Sequence, residues 1–476
     1  MHQYTRRDLP SPRPPTLQRR RNTRRHARLT LTLLAVGIAA VALMAQPSPT
    51  TALVGVHVIA MDREDVATNQ TILVRDGRIA EMGPAADVAV SAKTTRVDAE
   101  GKYVLPGLAE MHGHLAGDDA AMNERILLLN VAYGVTTLRN MQGHPAHLPL
   151  RDRVARGELL GPRIYTSGPA LGAKSIPTPD EAVKVVTEQK EAGFDFLKTQ
   201  EGVSRAAFDA MVETAQKLDI PFAGHVAADV GLERALEAHY KSVDHLDGYV
   251  EALLKPDAAV DLAKAGFFGS AVIEHVDESK IPEVAQATKE AGTAVVPTET
   301  LIENFFTSEP IDTLLAQPEM RYVPKDVLSD WESSKRKFMT DGEGKIPAEQ
   351  RDRLHAVRRQ IIKALHDAGV LLVLGADTPQ VLNVPGVAIH RELSLMVKAG
   401  LTPYQALEMG TRNVAVYFDT LREAGTIEPG KRADLLVVDA NPLDDIANTS
   451  KRFGVMVNGT WLSRAEIDEK LEALER

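Results

Sequence analysis

Tyr103-Val104-Leu105-Pro106-Gly107-Leu108-Ala109-Glu110-Met111-His112-Gly113-His114 is an apolar run that ends in two histidines one glycine apart. Side chains alternate between faces along a strand, so residues two apart point the same way. His112 and His114 are therefore expected to project together from one strand end, with Gly113 adding no bulk between them. Two neutral imidazoles on one face make half of a transition-metal site. A His-x-His pair also arises by chance on surface strands. What decides is whether other strands deliver further ligands at the same end.

Outward from that stretch, residues 105–418 read as strands alternating with helices. A helix near 123–133 leads to the strand GVTTLRN (134–140), and one near 150–156 precedes PRIYTSG (162–168). Residues 179–192 are expected to be helical, with Thr178 and Asp180 as candidate caps. FDFLKTQ (194–200), a helix over 205–218, IPFAGHV (220–226), a helix over 230–238 and SVDHL (242–246) follow. TAVVPTE (293–299) and VLLVLGADTP (370–379) bring the number of strands to eight, counting the His-pair strand. Alternating βα units in that number point to an α/β fold, a (β/α)8 TIM barrel over 105–420 with its site at the C-terminal strand ends. Residues 300–369, with Trp331 and helical periodicity near 349–366, read as a helical insertion, either capping the mouth or a surface excursion.

The two ends of the chain have a different texture. LVGVHVIAMD (53–62) and TILVRDGRIAEMG (71–83) are short strands without an intervening helix, and Asp76-Gly77 is a hairpin turn. RADLLVVDANP (432–442) and GVMVNGTW (454–461), with the turn Asn458-Gly459, match them. Each segment is too small to bury a core alone, so 46–104 and 421–476 are expected to complete one small β-sandwich together, with 46–52 as a linker. Residues 1–28 carry nine arginines against the single acid Asp8, and the 17 residues from Leu29 to Ala45 carry no charge. That pattern is a signal peptide cut near Ala45, giving an exported, periplasmic or secreted protein; a retained membrane anchor is the alternative.

The chain's 476 residues, 44% apolar and 25% charged, have a soluble globular composition with no cysteine. Disulfides, thiolate ligands and a cysteine nucleophile are excluded, so a metal must sit on His or carboxylate. Loss of residues 1–45 removes +8 (nine Arg, one Asp) and takes the formal net charge from −10 to −18. Phosphate backbones repel such a surface, which argues against nucleic acid as a partner.

Under the barrel reading, the polar residues at C-terminal strand ends are His112, His114, Lys198, His225, His245 and Asp377. A lone strand-end histidine is usually a satisfied core group, but six such residues coinciding at one end is a different matter. The stretches PGLAEMHGH, GVTTLRN, FLKTQ, AGHV, VDHL, GADTP, LTPYQALEMGTRN and GTIEPGKRADLLVVD resemble the amidohydrolase superfamily over nearly the whole chain. The resemblance implies that His112 and His114 bind one divalent metal ion and His225 and His245 a second. Lys198, carboxylated by carbon dioxide, would bridge them, and Asp377 would complete the first site. It implies zinc, although His and carboxylate also accept manganese or cobalt. A hydroxide shared by the two cations would attack the scissile carbonyl while Asp377 moved its proton to the leaving nitrogen.

The signal-like N-terminus, the insertion and PEMRYVP (318–324) look most like the imidazolonepropionase-like branch, which includes metal-dependent dipeptidases and ochratoxin A amidohydrolases. The expected reaction is hydrolysis of an amide joining an acyl group to an amino acid with a free carboxylate. Cyclic-amide or lactone hydrolysis on the same centre, and a non-catalytic binding protein on this scaffold, are the alternatives. Arg139, Lys174 and Arg321 are cationic candidates for the substrate carboxylate, and His144 and His147 candidates for lining the pocket. His57 is expected to be structural and His390 to pack or cap, with His275 outside the pattern. Asn140 stands where family members often carry Asp. Relatives often assemble, which extends the expectation of a homo-oligomer to this chain.

Overall fold

The computed structural model describes residues 50–475 apart from Asp341; the signal peptide expected over 1–45 lies outside the described residues. One eight-stranded sheet joins the first and the last strands of the described residues. Its seam is the antiparallel pairing of Tyr103–Pro106 with Leu435–Val438, in register Leu436↔Leu105. Thr51–Val58, Ala67–Arg75 and Arg78–Pro84 continue it on one side, Arg452–Val457 and Thr460–Ser463 on the other, and Thr95–Asp98 pairs in parallel with Thr51–Val58. Both hairpin turns expected from sequence are present, with positive φ at Asp76 and Gly77 and at Asn458 and Gly459. Their tips touch: a Cβ on Gly459 would lie 2.4 Å from Gly77 Cα, so the contact needs glycine.

The sheet buries both faces. Leu53, Val56, Ile72, Leu435 and Met456 form one core, while Leu105, Leu436, Val438 and Val455 point into the main core with Leu108 and Leu129. The strand polarity then changes. After Gly107 the chain enters a parallel sheet of Leu108–Gly113, Val135–Asn140 and Arg163–Thr166, and a second parallel sheet holds Leu197–Thr199, Phe222–Gly224, Ser242–Asp244 and Ala294–Val296. Parallel bridges Ser167↔Phe196 and Leu171↔Thr199 lie between the two sheets. Residues 370–379, expected as a strand, make no regular ladder. Instead Val373 N donates to Val295 O (3.0 Å) and Met111 N to Leu374 O (2.9 Å), so this segment touches a strand on each side.

The expected helices form at Ala120–Ala132, His147–Ala155, Pro179–Ala192, Arg205–Lys217 and Gly231–Glu237. Thr178 caps Pro179–Ala192 by accepting from Glu181 N, and Gly193 closes it in the left-handed conformation. Asp180 falls in the first turn, where its charge favours the helix dipole. Residues 300–369 are helical, as expected, with Glu299–Phe306, Ile311–Leu315, Lys325–Thr340 and Ala348–Asp367. Among the described residues no helix is long and apolar enough to cross a membrane.

Glu299–Phe306 is capped at both ends from distant parts of the chain. Lys335 Nζ donates to Phe305 O (2.6 Å) and Thr307 O (2.8 Å), and burial pushes its amine down to about 8. At the other end Glu392 accepts from Glu299 N (2.9 Å), Thr300 N (2.7 Å) and Thr300 Oγ1 (2.7 Å). Burial outweighs these bonds and pushes the Glu392 carboxyl from 4.5 up to about 8. Between those values the folded chain keeps a proton that the unfolded chain has released, so this group's contribution to stability declines as pH rises. The slope is up to about 1.4 kcal/mol per pH unit. Chemical denaturation from pH 5 to 8 should therefore show a decline in the parent that E392Q flattens. An equally steep decline in E392Q would remove Glu392 as its source.

Candidate metal centre

The six strand-end residues meet. Ligand atoms of His112, His114 and Asp377 lie within 4.8 Å of one another. The His112 and His245 ring centroids are 4.2 Å apart, those of His225 and His245 4.6 Å, and Lys198 Nζ is 3.2 Å from His112 Nε2. His245 Nδ1 is 3.9 Å from Asp377 Oδ2. The parallel register explains the convergence, because Ala223 pairs with both Lys198 and Ser242 and so brings the ends of those strands level.

Each imidazole is held by one nitrogen. His112 Nδ1 lies 2.7 Å from Asp244 Oδ2, and His225 Nδ1 2.7 Å from Asp247 Oδ2. A carboxylate only accepts, so the ring proton sits on Nδ1 and Nε2 keeps its lone pair. His245 Nδ1 is 2.8 Å from the Thr298 hydroxyl, and His114 Nε2 is 2.7 Å from Asp377 Oδ1. That leaves His245 Nε2 and His114 Nδ1 buried without a protein partner. Burial and neighbouring cationic groups hold His112 and His245 well below the ordinary histidine range, which keeps both rings neutral. Burial likewise lowers the Lys198 amine. Neutral imidazoles with their second nitrogen fixed, unpartnered buried nitrogens and an adjacent carboxylate fit divalent metal ions.

The partners that orient these ligands were not singled out from sequence. Asp244 and Asp247 flank His245 in VDHLDG, a spacing that could have flagged them. Glu110 gave no signal beyond its place in the His-pair strand. It accepts from His112 N (2.9 Å) and Ala376 N (2.9 Å), tying the first ligand strand to the segment bearing Asp377. Burial pushes its carboxyl up to about 7.

Two of the residues expected to meet substrate, Arg139 and His147, are taken up inside the protein. Arg139 is fully buried, and all five of its N–H groups are used inside the protein. They go to Met111 O, Ser242 Oγ, Tyr417 OH and both oxygens of Asp244, so none is left for a substrate carboxylate. His147 is also buried and bonds Asn140 Nδ2 through Nδ1 (2.9 Å), while Asn140 Oδ1 accepts from Leu115 N (2.8 Å). Asn140 and His147 thus brace the loop between the strand Val135–Asn140 and the helix His147–Ala155. His144 is half-buried beside His147, Lys174 is exposed, and Arg321 pairs with Glu475 (3.2 Å). His57 accepts from Asn69 N, and His390 is held by Thr449 and Tyr133 O, both structural roles.

The sequence model of the amidohydrolase family matches residues 103–462. Ochratoxinase of Aspergillus niger is 22% identical over 449 residues, covering 79% of each chain. Imidazolonepropionase of Agrobacterium fabrum is 26% identical, covering 80% of this chain and 86% of its own. Among solved structures, a putative prolidase from Bifidobacterium longum superposes with a TM-score of 0.64 at 25% identity, covering 90% of this chain and 100% of its own. These neighbours carry a TIM-barrel-like α/β fold.

The helical insertion reaches the site through Arg358 on Ala348–Asp367. This fully buried side chain donates through Nε (2.9 Å) and Nη2 (2.6 Å) to Glu299 Oε1, and through Nη2 to His245 O (2.9 Å). It thereby fixes the backbone of one imidazole and the start of the helix that follows Thr298. R358M would strand the Glu299 carboxylate in the interior, at a cost of about 3–5 kcal/mol. Urea denaturation should show that loss, with E299Q in the same chain recovering part of it. A loss below about 1 kcal/mol, the range of exposed pairs, would show that the pair does not brace the site.

Proposed function

The chain belongs to the amidohydrolase family, a hydrolase acting on amide bonds, and from that premise we propose a binuclear-metal enzyme. Its reaction is cleavage of the amide between an acyl group and an amino acid with a free carboxylate, as in a dipeptide, an N-acyl amino acid or an ochratoxin A-like compound. The observation that carries this reading is the meeting of four imidazoles, Lys198 and Asp377, with His114 Nδ1 and His245 Nε2 buried and unpartnered.

His112, His114 and Asp377 would hold one divalent ion and His225 and His245 the second, zinc in both. When bound, such ions lower the pKa of water and polarise a carbonyl oxygen. Lys198 suits its bridging role because burial lowers its amine, which favours the unprotonated form that adds to carbon dioxide. Counted from the ammonium form, two protons leave, one to free the amine and one as the N–C bond to carbon dioxide forms, so a cation that would repel metal becomes an anionic carbamate. Asp377, set 2.7 Å from His114, takes the proton of the attacking water and hands it to the departing nitrogen. The architecture we infer is a closed (β/α)8 barrel over 105–420 with the 300–369 insertion. The bridges at Ser167, Val295 and Gly113 support closure. Residues 46–104 and 421–476 would fold over as a small β-sandwich, the chain being exported after loss of 1–45 and assembling as a homo-oligomer.

A panel of dipeptides, N-acyl amino acids and lactones tests the reaction. Turnover of the first two should vanish after chelation and return with zinc and bicarbonate, and turnover of lactones alone would sink the exocyclic-amide reading. D377N, with metal content measured alongside, should lower kcat about 10²–10⁴-fold, the usual worth of a positioned proton carrier. Near-parental kcat in that variant would assign the proton to another group.

A further inference from the structure

Beside the second pair of imidazoles lies a cavity of about 820 Å³ whose wall includes Glu201, Asp247, Glu251 and Glu343 together with Phe267 and Phe268. Ligand-capable atoms of Glu201, Asp247 and His225 lie within 4.8 Å of one another, so the chamber adjoins the metal centre directly. Two arginines share the wall, but Arg205 is turned to Asp209 (3.0 Å) and Arg234 to the same carboxylate (2.9 Å). The charge facing the cavity is therefore negative.

A cluster of acids on a surface is commonplace; the decisive atom here is Glu251 Oε2. It is withdrawn from water and accepts no hydrogen bond, although an unpaired buried carboxylate oxygen costs several times what an ordinary hydrogen bond contributes. Burial, with the Asp247 charge adding to it, pushes this carboxyl up to about 7 against the opposing pull of its own backbone N–H and of Arg358, and a further cation entering the chamber would relieve both effects. The aromatic wall suits the same guest. Phe267 and Phe268 are in ring contact at 4.2 Å, and Phe268 lies 5.5 Å from the His245 ring, so the cavity's aromatic faces run up to the ligands. Carboxylates combined with phenyl faces recognise ammonium groups.

Resting on the amide-hydrolase reading above, we propose that this chamber binds a primary ammonium on the acyl side of the substrate. The preferred substrate class is then an aminoacyl amide, a dipeptide with a free amino group, rather than a neutral or anionic N-acyl amino acid. A negative chamber disfavours acyl groups that bring their own negative charge, so it separates substrates that the metal centre alone would treat alike.

The test is equilibrium binding by calorimetry of a phosphinic pseudodipeptide, which cannot be hydrolysed, against its N-acetylated twin on the zinc-loaded protein. The free amine should bind at least ten-fold tighter, and the ratio should fall towards unity in E251Q and in E201Q. The exposed Glu201 provides a variant that leaves the buried wall intact. Equal affinities, tighter binding of the acetylated twin, absence of binding by both, or a ratio unchanged in both variants would each overturn the proposal. Failure of the amide reading shows separately, as an ammonium preference in binding without turnover of the corresponding dipeptide.

Discussion

Asp244 is a carboxylate sealed from water, and the order of the site depends on how it is held. Arg139 grips both its oxygens, at 3.1 and 2.8 Å, and Ser242 Oγ donates to it at 2.7 Å. Taking such a charge out of water costs several kcal/mol, and only near-complete pairing offsets that. With three donors satisfied inside the protein, its remaining contact is the N–H of His112. The proton of that imidazole is pinned on Nδ1 as a result, and Nε2 faces Lys198. A buried ion pair that contributes little to stability by itself thus decides which nitrogen of His112 is available.

The same economy operates along the chain. Tyr103–Pro106 belongs to the terminal sheet and Leu108–Gly113 to the parallel one, so a single run of residues carries the outer sheet's register into the first ligand strand. The crossover is Gly107, where a Cβ would sit 2.2 Å from Thr136 Oγ1; any larger residue would push the two sheets apart. Gly224 plays a comparable part beside Lys198, with φ at 122° and a hypothetical Cβ 2.6 Å from Lys198 Cδ. Close packing of this kind leaves the lysine one place to go.

The six strand-end residues that meet could be picked out from sequence because each follows an apolar strand. The helix caps and hairpin turns were equally readable, since Thr178, Gly193 and the Asp-Gly and Asn-Gly pairs act through local backbone geometry. Partnership across long separations was not. Arg139 follows an apolar strand just as Lys198 does, and nothing local distinguishes a guanidinium facing solvent from one whose partner is 105 residues away. The same blindness applied to residues 300–369. Their helical periodicity was visible, but Arg358 reaches His245 across 113 positions, and only folding brings the two together.

Those distant partners also account for the unusual backbone around the ligands. His245, Leu246, Thr298 and Asp377 all have positive φ without being glycine, a conformation costing about 1–3 kcal/mol at each residue when nothing compensates. Here compensation is visible at both ends of the set. Arg358 holds His245 O, and Asn383 Nδ2 donates to Ala376 O and, at 3.1 Å, to Asp377 O. The bends turn the side chains off the strand direction and inward, where a regular strand would send alternate residues into the surrounding core. Bends of this sort are set by neighbours and not by the bending residues. A site assembled in that way loses little entropy when its ligand arrives, which is the physical advantage of spending backbone strain beforehand.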